Sequence, residues 1–185
     1  YKNKLVTELI NNGWRGIAYA ATFTITNIMF VISIENTNVA NTLIMIALAP
    51  MLSAVISFIF LKENPDQKTW VAIIITTLAV AYIFYDALDA GDFLGNFLGL
   101  ICATGLAVGA VIIRSAKKIS LVPSAMVGKL MVGLIALLFA DKLKLEGNDL
   151  TIVPLMCIMC VAIPFVLVTL APRFITAAEV NLFFL

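Results

Sequence analysis

Along the chain, apolar stretches at 16–34, 39–61, 70–86, 93–113, 121–140 and 152–171 alternate with short polar clusters, and a further apolar stretch begins near 174. Each complete stretch is about 17–23 residues long, the length that carries a helix across a hydrocarbon core roughly 30 Å thick. None has the charged face of an amphipathic surface helix. The pattern predicts an all-α membrane protein, a polytopic transmembrane helix bundle of six complete spans and a truncated seventh. About 12 residues of that seventh precede Leu185, a rise of only about 18 Å. Ahead of the first span, Leu5, Val6, Leu9 and Ile10 recur at helical spacing, so 1–12 is expected to form a short interfacial or connecting helix. The chain opens on Tyr1 rather than Met and stops inside the apolar run Asn181–Leu185, so it reads as a piece of a longer polypeptide.

Composition sharpens the class. The 185 residues are 62% hydrophobic and 12% charged, against about 45–50% and 25% in a soluble domain, which excludes a water-soluble globule. A net charge of +1 offers no basic excess, so no nucleic-acid partner is expected. The absence of histidine removes the commonest metal ligand and general base. Cys102, Cys157 and Cys160 all lie in apolar runs, and the C-x-x-C of 157–160 has no second ligand pair, so these read as small packing residues. No metal site and no cofactor are expected. Without a nucleophile elbow, a phosphate-binding glycine loop or a paired acidic cluster, the chain is not expected to be an enzyme, and nothing implies drive by ATP.

The few cations set the orientation. Lys2, Lys4 and Arg15 precede or open the first span. Lys62 and Lys68 follow the second, Arg114, Lys117 and Lys118 follow the fourth, and Arg173 follows the sixth. On the opposite side stand Glu35, Asp86, Asp89 and Asp92, with Lys142 and Lys144 as its cations. The positive-inside rule then places the residue 1 side in the cytoplasm, in what reads as a bacterial inner (plasma) membrane.

Several residues inside the spans invite function. Pro50 in the second span and Pro164 in the sixth each remove a backbone hydrogen bond, giving either a static kink or a flexible helix beside a transport path. Gly95, Gly99, Gly105 and Gly109 bring helix backbones close, with Gly128 and Gly133 as a weaker pair. Their partner lies in this chain or in a second copy, so a homo-oligomer is compatible with the pattern. Asn41, Met45, Ala49, Ser53 and Ser57 repeat every four residues beside Thr42, and Tyr19, Thr22, Thr26 and Asn27 mark the first span. Such faces should point into the bundle, toward interhelical hydrogen bonds or a cavity. Lys129 either snorkels or faces a cavity, and Glu179 either answers a helix N-terminal dipole or does the same.

The run from Ala40 to Glu63, with Pro50 partway and Leu61-Lys62-Glu63 at its end, resembles the fourth helix of the EamA family of the drug/metabolite transporter (DMT) superfamily. That helix typically ends leucine-glycine-glutamate, with Lys62 here in place of the glycine. Trp70 resembles the start of the family's fifth helix, Asp92 to Lys118 its sixth, and Ala162 to Val180 its eighth helix, the following turn and the opening of the ninth.

The resemblance implies helices three to eight and part of nine of a ten-helix transporter built from two inverted five-helix repeats. Residues 1–88 would hold the last three helices of the first repeat, and 89–185 the first helices of the second. A shift of 138 sets Asn38 against Thr176, Ala40 against Ala178 and Asn41 against Glu179, and the counterpart of Pro50 would fall at position 188. The implied function is secondary transport of small metabolites across the lipid bilayer, as exporter or exchanger, by alternating access around a polar-lined central cavity. Tyr19, Asn27, Asn41, Thr42, Met45, Lys129 and Glu179 are the expected path residues, with kinks at Pro50 and Pro164. The alternative is a non-transporting membrane scaffold or assembly subunit, packed dry through its centre.

Overall fold

In the computed structural model, which describes residues 2–83, 93–116, 119–139, 147, 149–171 and 174–182, the apolar stretches become helices and the described residues contain no strand. Helix α1 (Lys2–Asn36) joins the expected N-terminal helix to the first span through a kink at Gly13. Its φ of 47° and ψ of −138° belong to a region that side chains with a Cβ rarely enter.

The second span is two helices, α2 (Val39–Ile46) and α3 (Ala49–Leu61), meeting at Ala47 and Leu48. Asn38 caps α2 by accepting from the Ala40 N–H at 3.0 Å. Pro50 occupies the first turn of α3, where a missing N–H is tolerated. Across the junction, the Thr77 hydroxyl donates to the Ala47 carbonyl at 3.4 Å. Helix α3 closes on Lys62 at φ 53° and ψ 27°, a left-handed conformation that glycine adopts without steric cost. The backbone thus makes the tight turn although lysine stands in the glycine position.

Helix α4 (Gln67–Ile83) has 17 residues, a rise of about 26 Å. The end of the expected 70–86 span, with Asp86, and also Asp89 and Asp92 lie outside the described residues. Helices α5 (Phe93–Ser115) and α6 (Val122–Phe139) follow. The sixth stretch is composite: α7 (Asp149–Met156), a π-helical turn (Cys157–Ala162) and α8 (Ile163–Leu170) with Pro164 in its first turn. There the Ile163 N–H reaches back five residues to the Ile158 carbonyl, and the widened turn adjoins a residue that has no donor. Helix α9 (Ala177–Leu182) ends the described chain. By length and composition, Glu8–Asn36, Val39–Leu61, Phe93–Ser115, Val122–Phe139 and Asp149–Leu170 are five helices able to cross a membrane, and Gln67–Tyr82 is a shorter apolar one. The architecture is an all-α, membrane-type helix bundle.

Helix α1 is the hub, packed on α5 and α6, while α3 packs on α5 and α9 and α2 on α5. Close approach depends on glycine. A Cβ at Gly95 would meet Thr37 at 2.5 Å, one at Gly99 would meet Met45 at 3.1 Å, and one at Gly105 would run into the Thr26 hydroxyl. The small-residue face of α5 is therefore covered by α1 and α2 of the same chain. At Gly128 the close neighbour is the Ala20 carbonyl at 3.1 Å, whereas nothing lies within 4 Å of a Cβ at Gly133.

Polar contacts join the inter-span segments end by end. At one end Asn12 donates to the Ser120 carbonyl at 2.9 Å and the Ser124 hydroxyl at 3.0 Å. Arg114 Nε reaches both Glu63 oxygens there, at 3.1 and 3.0 Å. At the other end Ser33 bonds the Gly95 carbonyl and the Thr42 hydroxyl, each at 2.8 Å. Arg15 lines a pocket with Glu63 and Arg114, so these cation-bearing segments share one end of the bundle. Lys117, Lys118, Lys142, Lys144 and Arg173 lie outside the described residues.

Candidate functional site

Between α1 on one side and α5, α6, α8 and α9 on the other lies a cavity of about 540 Å³. Helix α1 contributes Tyr19, Phe23, Thr26, Asn27 and Phe30, one helical face that starts about a turn after Arg15. Helix α5 adds Cys102, Gly105, Leu106, Gly109, Ala110 and Ile113. Lys129 enters from α6, Pro164 and Phe165 from α8, and Val180 and Asn181 from α9. From α2 only Ile46 reaches it.

The wall is mostly apolar with a few separated polar groups, which differs from the polar-lined cavity expected. Helices at membrane depth satisfy most of their hydroxyls internally. Thr26 donates to the Thr22 carbonyl at 2.7 Å and Asn27 to the Phe23 carbonyl at 2.8 Å. Lys129 is different. Its ammonium lies 5.0 Å from the Phe23 ring centroid and 4.9 Å from that of Phe165, and the two rings meet edge to face at 4.6 Å. Two such contacts at about 0.5–2 kcal/mol each are of the same order as the ~2.5–3.5 kcal/mol or more that a charge costs near the middle of a spanning helix, and they supply no opposite charge. Among the described residues that line the cavity there is no carboxylate.

Tyr19, Asn27, Lys129 and Pro164 thus gather at one cavity, while the other expected path residues have packing partners elsewhere. Asn41 is buried and donates to the Thr37 hydroxyl at 3.1 Å. Thr42 bonds Ser33, and Met45 packs against Gly99. Ala49, Ser53 and Ser57 are buried on the face that α3 turns to α5 and α9. Glu179 forms a capping box at the start of α9. It accepts from the Thr176 N–H at 2.8 Å while the Thr176 hydroxyl accepts from its own N–H at 3.3 Å, and Thr69 approaches it at 3.5 Å. Cys157 is exposed on the π-helical turn, and the Cys160 side chain lies outside the described residues.

Asn181 is the site residue that pattern reasoning missed. It is 2% exposed, lines the cavity, and its side-chain amide nitrogen has no hydrogen-bond partner among the described residues. The available signal was its place in the helical register: Ala177, Ala178 and Asn181 form one face at i, i+1 and i+4, and all are buried.

The membrane-length helices, their inward polar faces and the cavity between them are consistent with a transporter-type function in general, and one comparison with known proteins finds a similarity over rather less than half of the chain. Residues 4–85 match the EamA-like transporter family. The match covers α1 through α4 and includes Tyr19, Asn27, Pro50 and the Leu61-Lys62-Glu63 turn. EamA-like proteins are membrane transporters and not enzymes. No curated protein and no solved structure matches the chain.

Proposed function

We propose that this chain is part of a secondary transporter that moves small metabolites across the bilayer by alternating access, as an exporter or exchanger. The observation that carries the proposal is the 540 Å³ cavity bounded by the EamA-like helix α1 and by helices C-terminal to the matched segment. In the two-repeat reading, 1–88 and 89–185 belong to successive inverted repeats that rock about this cavity. Support comes from the caps: Asn38 at the start of α2 and Thr176 at the start of α9 are 138 residues apart and each caps a helix. The breaks at Ala47-Leu48 before Pro50 and at the π-helical turn before Pro164 supply places where a helix bends. Tyr19, Asn27 and Lys129 are the path residues of this reading.

A scaffold would use its small-residue faces to bind other chains. The faces of Gly95, Gly99 and Gly105 are already filled by Thr37, Met45 and Thr26, which favours transport. Reconstitution of the full-length polypeptide in liposomes with a metabolite panel is expected to give protein-dependent flux. Absence of flux under every imposed gradient overturns the reading.

A further inference from the structure

The cavity carries one positive charge, and three observations bear on what would complement it. Lys129 is half-buried, and its ammonium lies over the rings of Phe23 and Phe165 rather than at a counter-ion. Asn181 presents an amide nitrogen with no acceptor among the described residues. The remaining wall is mostly apolar, with Phe30, Ile46, Leu106, Ile113, Val168 and Val180, and its other polar groups are Tyr19, Thr26 and Asn27, the last two with hydroxyl and amide given to backbone carbonyls. Aromatic faces give an ammonium no opposite charge, so an anion beside Lys129 gains a charge-assisted interaction in a low-dielectric site. The unpaired N–H groups of Asn181 are donors, which also suit an anionic or carbonyl oxygen.

Resting on the transport reading above, we propose that the cavity takes a small amphipathic organic monoanion, with its carboxylate served by Lys129 and Asn181 and its hydrocarbon body against the apolar wall. The site is built against two other classes. A cationic amine, or the ammonium of a zwitterion, would share the cavity with Lys129, find no carboxylate among the described residues of its lining, and meet Phe23 and Phe165 already occupied by that lysine. A dianion rich in hydroxyls would bring more charge than one lysine answers and more polar groups than this wall pairs. Lys129 is thus the specificity-determining residue.

The test uses four probes of one body: 3-phenylpropanoate, 3-phenylpropan-1-ol, phenylalanine and 3-phenylpropylamine. Binding to the purified full-length protein is measured by calorimetry. The propanoate is expected to bind at least about tenfold more tightly than each of the others, Lys129→Gln to narrow that gap to about twofold, and Lys129→Arg to retain most of it. Equal binding of the alcohol, tighter binding of the amine or the zwitterion, or binding of none of the four overturns the proposal. So does a preference for the anion that survives Lys129→Gln. Because the selectivity of the unsubstituted protein is read first, misfolding of a variant does not rescue a failed prediction. Liposome flux separates the two readings. Selective propanoate binding without flux of any solute leaves the ligand class standing and overturns transport. Flux of other solutes that is indifferent to propanoate and to Lys129→Gln does the reverse.

Discussion

Lys62 and the Glu63–Arg114 pair show how single residues close one end of the bundle. Lysine in the left-handed region at φ 53° carries a steric cost of about 1 kcal/mol that glycine avoids. Lys62→Gly is therefore expected to stabilise the turn by about 0.5–1 kcal/mol, less a few tenths for the added freedom of the unfolded chain. Thermal unfolding of the detergent-solubilised full-length protein reads this directly, and a lower melting temperature would count against it. Next to it, Arg114 and Glu63 have side chains 13% and 28% exposed, enough water to weaken the pair and not enough to make it a surface contact. A double-mutant cycle of Glu63→Gln and Arg114→Gln is expected to give a coupling of about 1–2 kcal/mol that diminishes with salt. The glutamate was visible as part of the Leu61-Lys62-Glu63 turn, but its partner lies 51 residues away and no local pattern points to it.

Elements are shaped by where the backbone departs from the α-helix. Gly13 separates the N-terminal segment from the span at a φ/ψ that alanine tolerates poorly. Gly13→Ala is expected to cost about 1–3 kcal/mol although a Cβ there has open space around it. At Gly105 the cause is reversed: the backbone is helical and the space is taken by Thr26. Gly105→Ala should cost a similar ~1–3 kcal/mol through overpacking, and the double variant Gly105→Ala with Thr26→Ser should recover little of it, because the hydroxyl that obstructs remains. Thr26→Ala should recover more. Unfolding midpoints of the three variants distinguish conformational strain from collision. The spacing of Gly95, Gly99, Gly105 and Gly109 announced close packing, and only the assembled bundle shows that α1 and α2 supply the partner.

For the whole molecule, the alternation of ends makes a prediction about sidedness. Glu35 and Asp66 are exposed, follow the first and second spans respectively, and should lie on opposite faces of the membrane. In cells expressing the full-length protein, Glu35→Cys is expected to react with an impermeant maleimide added outside, and Asp66→Cys only after the membrane is opened. The reverse pattern would place the residue 1 side outside. Helices α7 and α8 are largely exposed, with Thr169 the buried residue of α8, so the packing of this chain centres on α1 and α5, and α8 reaches the cavity through Pro164, Phe165 and Val168.

The sequence by itself determined what depends on length, local hydrophobicity and charge: helices of membrane-spanning length, the alternation of their ends, and the breaks near Pro50 and Pro164. These are local properties, set within a turn or by transfer of one segment into hydrocarbon. It could not assign each polar side chain to a neighbour or to a cavity. Asn41, Thr42 and Met45 have the same periodicity as a cavity-lining face, yet α1 and α5 cover them. Lys129 meets two aromatic rings from α1 and α8, and Asn181 is buried beside the cavity with its amide nitrogen unpaired among the described residues. Periodicity defines the inward face of a helix, and only tertiary packing decides whether another helix fills the space before it.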